Sequence, residues 1–210
     1  MQHIKTYNQC IKHIKERTII IEGPIEAKDL STYRMESSLT AFRQPAEQLE
    51  ALIDIAGLEE GRIIIARTDD LIIGYVTLLY PDPLERWSYK NLDYLLELGA
   101  IEVAYHFRGY QIGKELLNVS MSDDYMENYI IITTEYYWHW DLKNSGLDVF
   151  EYKNLMQRLM QSARFEVFQT NDPEITSHPA NSLMARIGMQ ITRHQMQQFD
   201  EIRFMNRFFL

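Results

Sequence analysis

The sequence predicts a mixed α+β domain in which strands and amphipathic helices succeed one another along 210 residues. Three observations carry that expectation. Two apolar, β-rich runs at 62–68 and 71–80 meet at Asp69-Asp70, the two-residue spacing of a hairpin. In the stretch 96–117, LELGAIEVAYHFRGYQIGKELL, residues Ile101, Val103 and Tyr105 alternate with Glu102, Ala104 and His106 as in a strand. Gly109 and Gly113 then mark a bend, and Ile112, Leu116 and Val119 recur at helical spacing. No low-complexity linker or internal repeat interrupts the chain, so residues 18–210 are expected as one domain behind an N-terminal arm of residues 1–17.

The N-terminal stretch, with Ile4, Ile11 and Ile14 in a polar setting, is expected as a short helix or a loosely docked arm. Its start lacks an uninterrupted apolar stretch, so it does not read as a signal peptide. Residues 18–21 are β-branched and end at Glu22-Gly23-Pro24, which predicts the first strand. A helix is expected over 29–41. A second begins at Pro45, carries Leu49, Leu52, Ile53 and Ala56 on one face, and closes at Gly57. Gly74, inside the second hairpin strand, predicts a bulge or a close backbone approach. Residues 85–98 read as a helix with Leu92, Leu95 and Leu96 on one face, and 128–135 as a strand. Residues 147–160 are expected as a helix with Val149, Tyr152, Met156 and Leu159 inward, and 164–170 as a strand. His178-Pro179-Ala180-Asn181 is expected to open a short helix to Arg186, stopping near Gly188. Residues 195–210 are expected as a last helix anchored by Phe199, Ile202 and Phe209.

Composition narrows the function classes. A formal net charge of −9 argues against nucleic acid as the main ligand, because phosphate backbones need a basic footprint. The one cysteine, Cys10, excludes an internal disulfide framework and a cysteine zinc site, and fits a reducing, cytoplasmic setting. The longest apolar runs are far too short to span a bilayer. His139 and Asp141 do not make a recognised metal-ligand spacing, so no metal is expected.

The turn Arg108-x-x-Gln111-x-Gly113 resembles the pyrophosphate loop of the GCN5-related (GNAT) N-acetyltransferases, Arg/Gln-x-x-Gly-x-Gly/Ala, with Gln111 where that family usually has glycine. A strand, a glycine turn and a helix in this order collect free N–H groups at the positive end of a helix dipole, which attracts phosphate. Longer stretches narrow the resemblance. They are IEGPI (21–25), LTAFR (39–43), YPDPLERW (80–87), FRGYQIGK (107–114), MENYIIITTEYYWHWDLK (126–143), SHPANSLMARIG (177–188) and the QFD and RF-x-NRF ending (198–208). These are similar to the acetoin utilization acetyltransferases of Bacillus-type bacteria, over nearly the whole chain. The resemblance implies the GNAT fold, a central twisted, mostly antiparallel sheet flanked by helices. It implies acetyl transfer from acetyl-CoA to a lysine of AMP-forming acetyl-CoA synthetase, which silences that enzyme.

For acetyl-CoA the resemblance points to Val103, Phe107, Arg108, Gly109, Tyr110, Gln111, Ile112, Gly113 and Lys114, with the strand around Val103 polarising the thioester. A lysine ammonium, with a reference pKa of about 10.4, must lose a proton before it attacks. A carboxylate in the preceding strand is the expected base. Glu102 is the preferred candidate and Glu97 the alternative; their odd spacing puts them on opposite faces of a regular strand, unless Glu97 instead ends the preceding helix. Tyr136, Tyr137, Trp138 and His139 form either a lysine-tunnel wall or an aromatic core. Residues 180–186 lack the tyrosine that many relatives use as general acid, leaving Tyr110, Tyr136, Tyr137 and His139 as replacements. A small-amine acetyltransferase and a non-catalytic regulator that binds acetyl-CoA synthetase are the rival readings.

Overall fold

The computed structural model describes residues 1–205. The chain groups into two compact units, Met1–Leu79 with Leu98–Met126, and Tyr80–Glu97 with Glu127–Leu210.

In the first unit the strands are β1 (Asn8–Ile14), β2 (Arg17–Gly23), β3 (Arg34–Met35), β4 (Arg62–Thr68), β5 (Leu71–Leu79) and the later half of β6 (Leu95–Val103), with helices α1 (Ala27–Leu30), α2 (Pro45–Ala56) and α3 (Ile112–Ser120). The sheet order is β1-β2-β4-β5-β6, and β3 runs parallel to β5. β1, β2, β4 and β5 pair antiparallel in succession. Residues 1–17 form no helix: 1–7 carry neither helix nor strand, and β1 pairs along its whole length with β2, from Asn8 opposite Gly23 to Ile14 opposite Arg17. Its alternating half-buried and exposed residues are the two-residue period of a strand with one packed face.

The helix expected over 29–41 stops after one turn at Leu30. The Ser31 and Thr32 hydroxyls donate to the Lys28 and Asp29 carbonyls, local bonds that compete with helix continuation. Arg34 then forks onto Asp70 at 2.8 and 3.0 Å as β3 joins β5. The α2 helix begins at Pro45 and ends at Gly57, as its stop signals predict.

α3 packs on β2, β4 and β5 and buries Ile112, Leu116 and Val119, the stripe read from their spacing. Gly74 makes that packing close. A Cβ there would stand 2.9 Å from the Glu102 carbonyl oxygen and 3.3 Å from Leu116. The β4–β5 register also shifts beside it, because Ala66 faces Gly74 while Arg67 faces Ile72. The extra residue, Ile73, turns its carbonyl to the Ala104 N–H at 2.8 Å where β6 ends.

The second unit contains the first residues of β6, then β7 (Ile130–Glu135), α4 (Leu142–Ser145), α5 (Val149–Gln161), β8 (Glu166–Phe168), α6 (Pro173–Thr176), β9 (Ser182–Ile187) and α7 (Arg193–Arg203). Leu95, Leu96 and Glu97 pair in parallel with Ile130, Ile131 and Ile132. β9 runs antiparallel between β7 and β8.

Two expectations change here. Residues 85–98 are not a helix: a single 3₁₀ turn at Arg86–Ser88 is followed by Asn91 at φ 47°, and the chain enters β6 at Leu95. Leu95 and Leu96 are both fully buried, as strand residues covered on two faces are, and such neighbours imitate one face of a helix. Residues 182–187 are a strand rather than a helix, paired on both edges and buried almost throughout. α6 opens at Pro173 behind Asp172, whose side chain accepts the N–H groups of Glu174 and Ile175.

α5 starts on a capping box made by Asp148 and Glu151. α7 buries Phe199 and Ile202 into a core with Trp87, Leu95, Ile130 and Ile132; Phe209 lies outside the described residues. Among the described residues no helix is long and apolar enough to cross a membrane.

Candidate active site

The strand–turn–helix of the first unit is formed as the sequence pattern predicts, with an exposed turn before the helix. β6 ends at Val103, a 3₁₀ turn covers Tyr105–Phe107, and α3 begins at Ile112. Gly109 lies at φ 84°, and nothing stands within 4 Å of where its Cβ would be. Gln111, the N-cap of α3, sits in the left-handed region at φ 61° and ψ 20°, and no side chain caps the helix. That conformation explains the family glycine at this position: glycine adopts it freely, whereas a residue with a Cβ does so at a cost of roughly 1–2 kcal/mol. The first-turn N–H groups of a helix have no partner four residues back, and here they end in an exposed turn.

Of the loop side chains, Phe107 and Ile112 are buried supports, while Arg108, Tyr110, Gln111 and Lys114 are exposed. Arg108 does not simply project outward. Its Nε donates to the Val103 carbonyl at 3.1 Å, and the guanidinium lies over the Tyr105 ring. The β1–β2 hairpin adds cations that sequence reading missed. Lys15 Nζ lies 5.9 Å from the Tyr110 ring centre, and the Arg17 guanidinium 5.6 Å from that of Phe107. Lys12 pairs with Glu115 of α3 at 3.2 Å. No signal in the N-terminal residues gives this placement; it follows from the β1–β2 pairing.

The two candidate carboxylates have different surroundings. Glu97, at the boundary of the second unit, accepts the Thr134 hydroxyl at 3.3 Å. Burial, then repulsion from Glu85 and more weakly from Asp82, pushes its carboxyl up to about 7 against the Thr134 bond. Glu102, in the first unit, is buried with both oxygens taken. One accepts the Ala41 N–H at 2.9 Å and the other the Tyr75 hydroxyl at 2.8 Å. Tyr75 is fully buried, and burial together with the adjacent carboxylate holds its phenol far above its ordinary value.

In the second unit, the aromatic segment after β7 is a partly exposed ladder. Tyr136 stacks on Trp138 at 4.8 Å and 15°, Tyr137 lies 4.3 Å from His178, and Trp140 stacks on Tyr152. Trp138 is 48% exposed and His139 is exposed, while Tyr136 rests on the core cluster. The segment therefore has an inner side that packs and an outer side that offers flat faces. It is held from below by the Tyr137 N–H on Asn181 at 3.1 Å and by the Trp140 indole on Glu135 at 3.1 Å. Burial raises the Glu135 carboxyl, opposed by the bonds from Trp140 and Thr133. Among the described residues no group of three or more His, Cys, Asp or Glu side chains could hold a metal ion.

No protein-family model matches the chain. Acetoin utilization protein AcuA of Bacillus subtilis (strain 168) is 55% identical over 208 residues, covering 99% of each chain. The crystal structure of an acetoin utilization protein from Exiguobacterium sibiricum 255-15 superposes with a TM-score of 0.93 at 57% identity, covering 96% of this chain and 95% of that one. A GNAT-family acetyltransferase from Streptococcus pneumoniae shares the fold at a TM-score of 0.52 and 14% identity, covering 81% of this chain and 99% of that one.

Proposed function

The chain belongs to the family of acetoin utilization protein AcuA and has the fold of the GNAT acetyltransferases, and on that premise we propose that it transfers acetyl from acetyl-CoA to a lysine of a protein, AMP-forming acetyl-CoA synthetase. The observation that carries the reading is the uncapped start of α3 behind Gly109 and Gln111 at positive φ. Its N–H groups and the helix dipole suit a pyrophosphate, and the open space at Gly109 leaves room for one to approach the backbone. The residues fit acetyl-CoA in this sense. Lys114, Lys15 and Arg17 supply positive charge around the loop, whereas Arg108 steadies the end of β6.

Acetyl-CoA supplies the thioester carbon to be attacked and a thiolate leaving group. The protein's own contributions begin with the acceptor. Tyr136, Tyr137, Trp138 and His139 form the wall that lies along a lysine stem, with the stacked Tyr136–Trp138 faces toward its cation. Glu97 takes the ammonium proton, directly or through water, because a carboxyl near 7 is matched to that task at neutral pH. The backbone around Val103 polarises the carbonyl. The amine nitrogen then bonds to the acetyl carbon as the carbon–sulfur bond breaks, and the second nitrogen proton passes to the departing thiolate, giving acetyl-lysine and the CoA thiol. A thiolate of modest basicity leaves without an assigned general acid. On this reading the reaction takes place in the cytoplasm.

The test incubates the protein with acetyl-CoA and purified AMP-forming acetyl-CoA synthetase, followed by mass-spectrometric mapping of acetyl-lysine. One synthetase lysine should be modified as synthetase activity falls. If no lysine is modified above an enzyme-free control, the reading fails.

A further inference from the structure

We propose that the β1–β2 turn reads the 3′-phosphate on the ribose of acetyl-CoA: Lys15 and Arg17 bind that terminal phosphomonoester, apart from the pyrophosphate at the start of α3. The proposal rests on the acetyl-CoA part of the reading above.

The uncapped start of α3 and the open space at Gly109 suit the pyrophosphate, and they make no use of the β1–β2 turn. The cations of that turn meet the loop earlier in the chain, Arg17 over the Phe107 ring and Lys15 over the Tyr110 ring. Both are exposed, and among the described residues neither pairs with a carboxylate, although Glu16 shares the turn. Lys12 of the same hairpin pairs with Glu115, the acid in the first turn of α3. In a chain of net charge −9, this leaves a local surplus of positive charge beside the loop. A cation resting on a ring keeps its N–H donors open to an anion, and in Arg17 those donors form the planar fork that matches a phosphate.

The backbone of the turn is a second, independent sign. Ile14 pairs with Arg17, so Lys15 and Glu16 alone turn the chain, and Lys15 stands at φ 55°. Glycine or asparagine takes a positive φ at a hairpin turn with least strain, and lysine does not. A residue held at such a cost points to a use for its side chain. The mount is firm as well: β1 pairs along its whole length with β2, and the Lys12–Glu115 pair fastens the hairpin to α3.

The experiment is isothermal titration calorimetry at low salt with acetyl-CoA and with 3′-dephospho-acetyl-CoA. It compares the wild type, the double variant Lys15→Gly with Arg17→Gln, and Lys114→Gln. The wild type should bind the dephospho ligand about fivefold more weakly, the order of an exposed charged contact. The double variant should bind acetyl-CoA more weakly by that same factor and the dephospho ligand within about twofold of wild type, so that the discrimination disappears. Lys114→Gln, which removes a charge from α3 itself, should keep it. Lys15→Gly alone should unfold at the same urea concentration as the wild type or a higher one, because glycine relieves the positive φ; this separates a loss of binding from a fault in folding. The proposal is overturned if the wild type binds both ligands alike, if the double variant still discriminates, or if Lys114→Gln erases the discrimination as fully. A wild type that binds neither ligand overturns the acetyl-CoA reading and this proposal with it. Binding with the expected discrimination but no transfer to the synthetase would remove the transferase step alone and leave the ribose-phosphate site standing.

Discussion

Replacing Glu97 with glutamine separates the proton-acceptor role from structure, because one perturbation moves both activity and stability in calculable directions. The carboxyl stands at about 7 in the folded protein against an ordinary value of 4.5, chiefly through burial and then through Glu85. The folded state therefore holds this proton more tightly than the unfolded chain does. Stability contributed by the neutral form is complete below 4.5, falls as pH rises through about 7, and levels off above. At about 1.4 kcal/mol per pH unit the loss reaches roughly 3 kcal/mol in alkaline buffer. Glutamine keeps the shape and cannot ionise. Glu97→Gln should match the wild type in urea melts near pH 5 and exceed it by roughly 3 kcal/mol near pH 8.5. The same variant should lose turnover by about 100-fold or more, together with the acid limb of kcat/KM near pH 7. A stability gap that does not change between the two buffers would refute the burial argument. Unchanged turnover would remove Glu97 from the chemistry.

Other outcomes follow from particular contacts. Gly188→Ala should destabilise the second unit by about 3 kcal/mol or prevent its folding, since a Cβ would stand 2.2 Å from the Glu127 carbonyl oxygen; differential scanning calorimetry reads this. Gln111→Gly should bind acetyl-CoA within about threefold of wild type, whereas Gln111→Val, β-branched in the left-handed region, should bind about tenfold more weakly by calorimetry. Removing Lys15 and Arg17 together should weaken acetyl-CoA binding several-fold at low salt, and the difference should shrink at about 0.5 M salt as exposed charges are screened.

Local pattern made α3 and the α2 boundaries legible, because helical stripes and stop residues act within a few positions. Gly74 was readable as a place of close approach, and both of its alternatives occur, a bulge beside it and Glu102 pressed against it. The strand Ser182–Ile187 was not readable, since its cause is pairing with β7 on one edge and β8 on the other. The β1–β2 hairpin was lost for the same reason, and with it the basic residues beside Tyr110. At the site, two glutamates in an apolar strand were conspicuous. What distinguishes them came from Tyr75, Ala41 and Thr134, all distant in sequence, so Glu102 as the preferred base gives way in our proposal to Glu97.

The division of the chain bears on how the protein is made. The first unit is interrupted: it takes residues Met1–Leu79, leaves the chain to the second unit, and resumes at Leu98 within a single strand. A ribosome therefore delivers β1 to β5 well before the α3 that covers them, and the covering helix arrives only after the start of β6 has been assigned to the other unit. Neither unit can be released by one cut or expressed as one uninterrupted piece. A chain stopped near residue 79 should present the bare apolar face of β4 and β5 to chaperones, which makes the length of nascent chain, rather than either unit alone, the variable that decides when this protein becomes safe from aggregation.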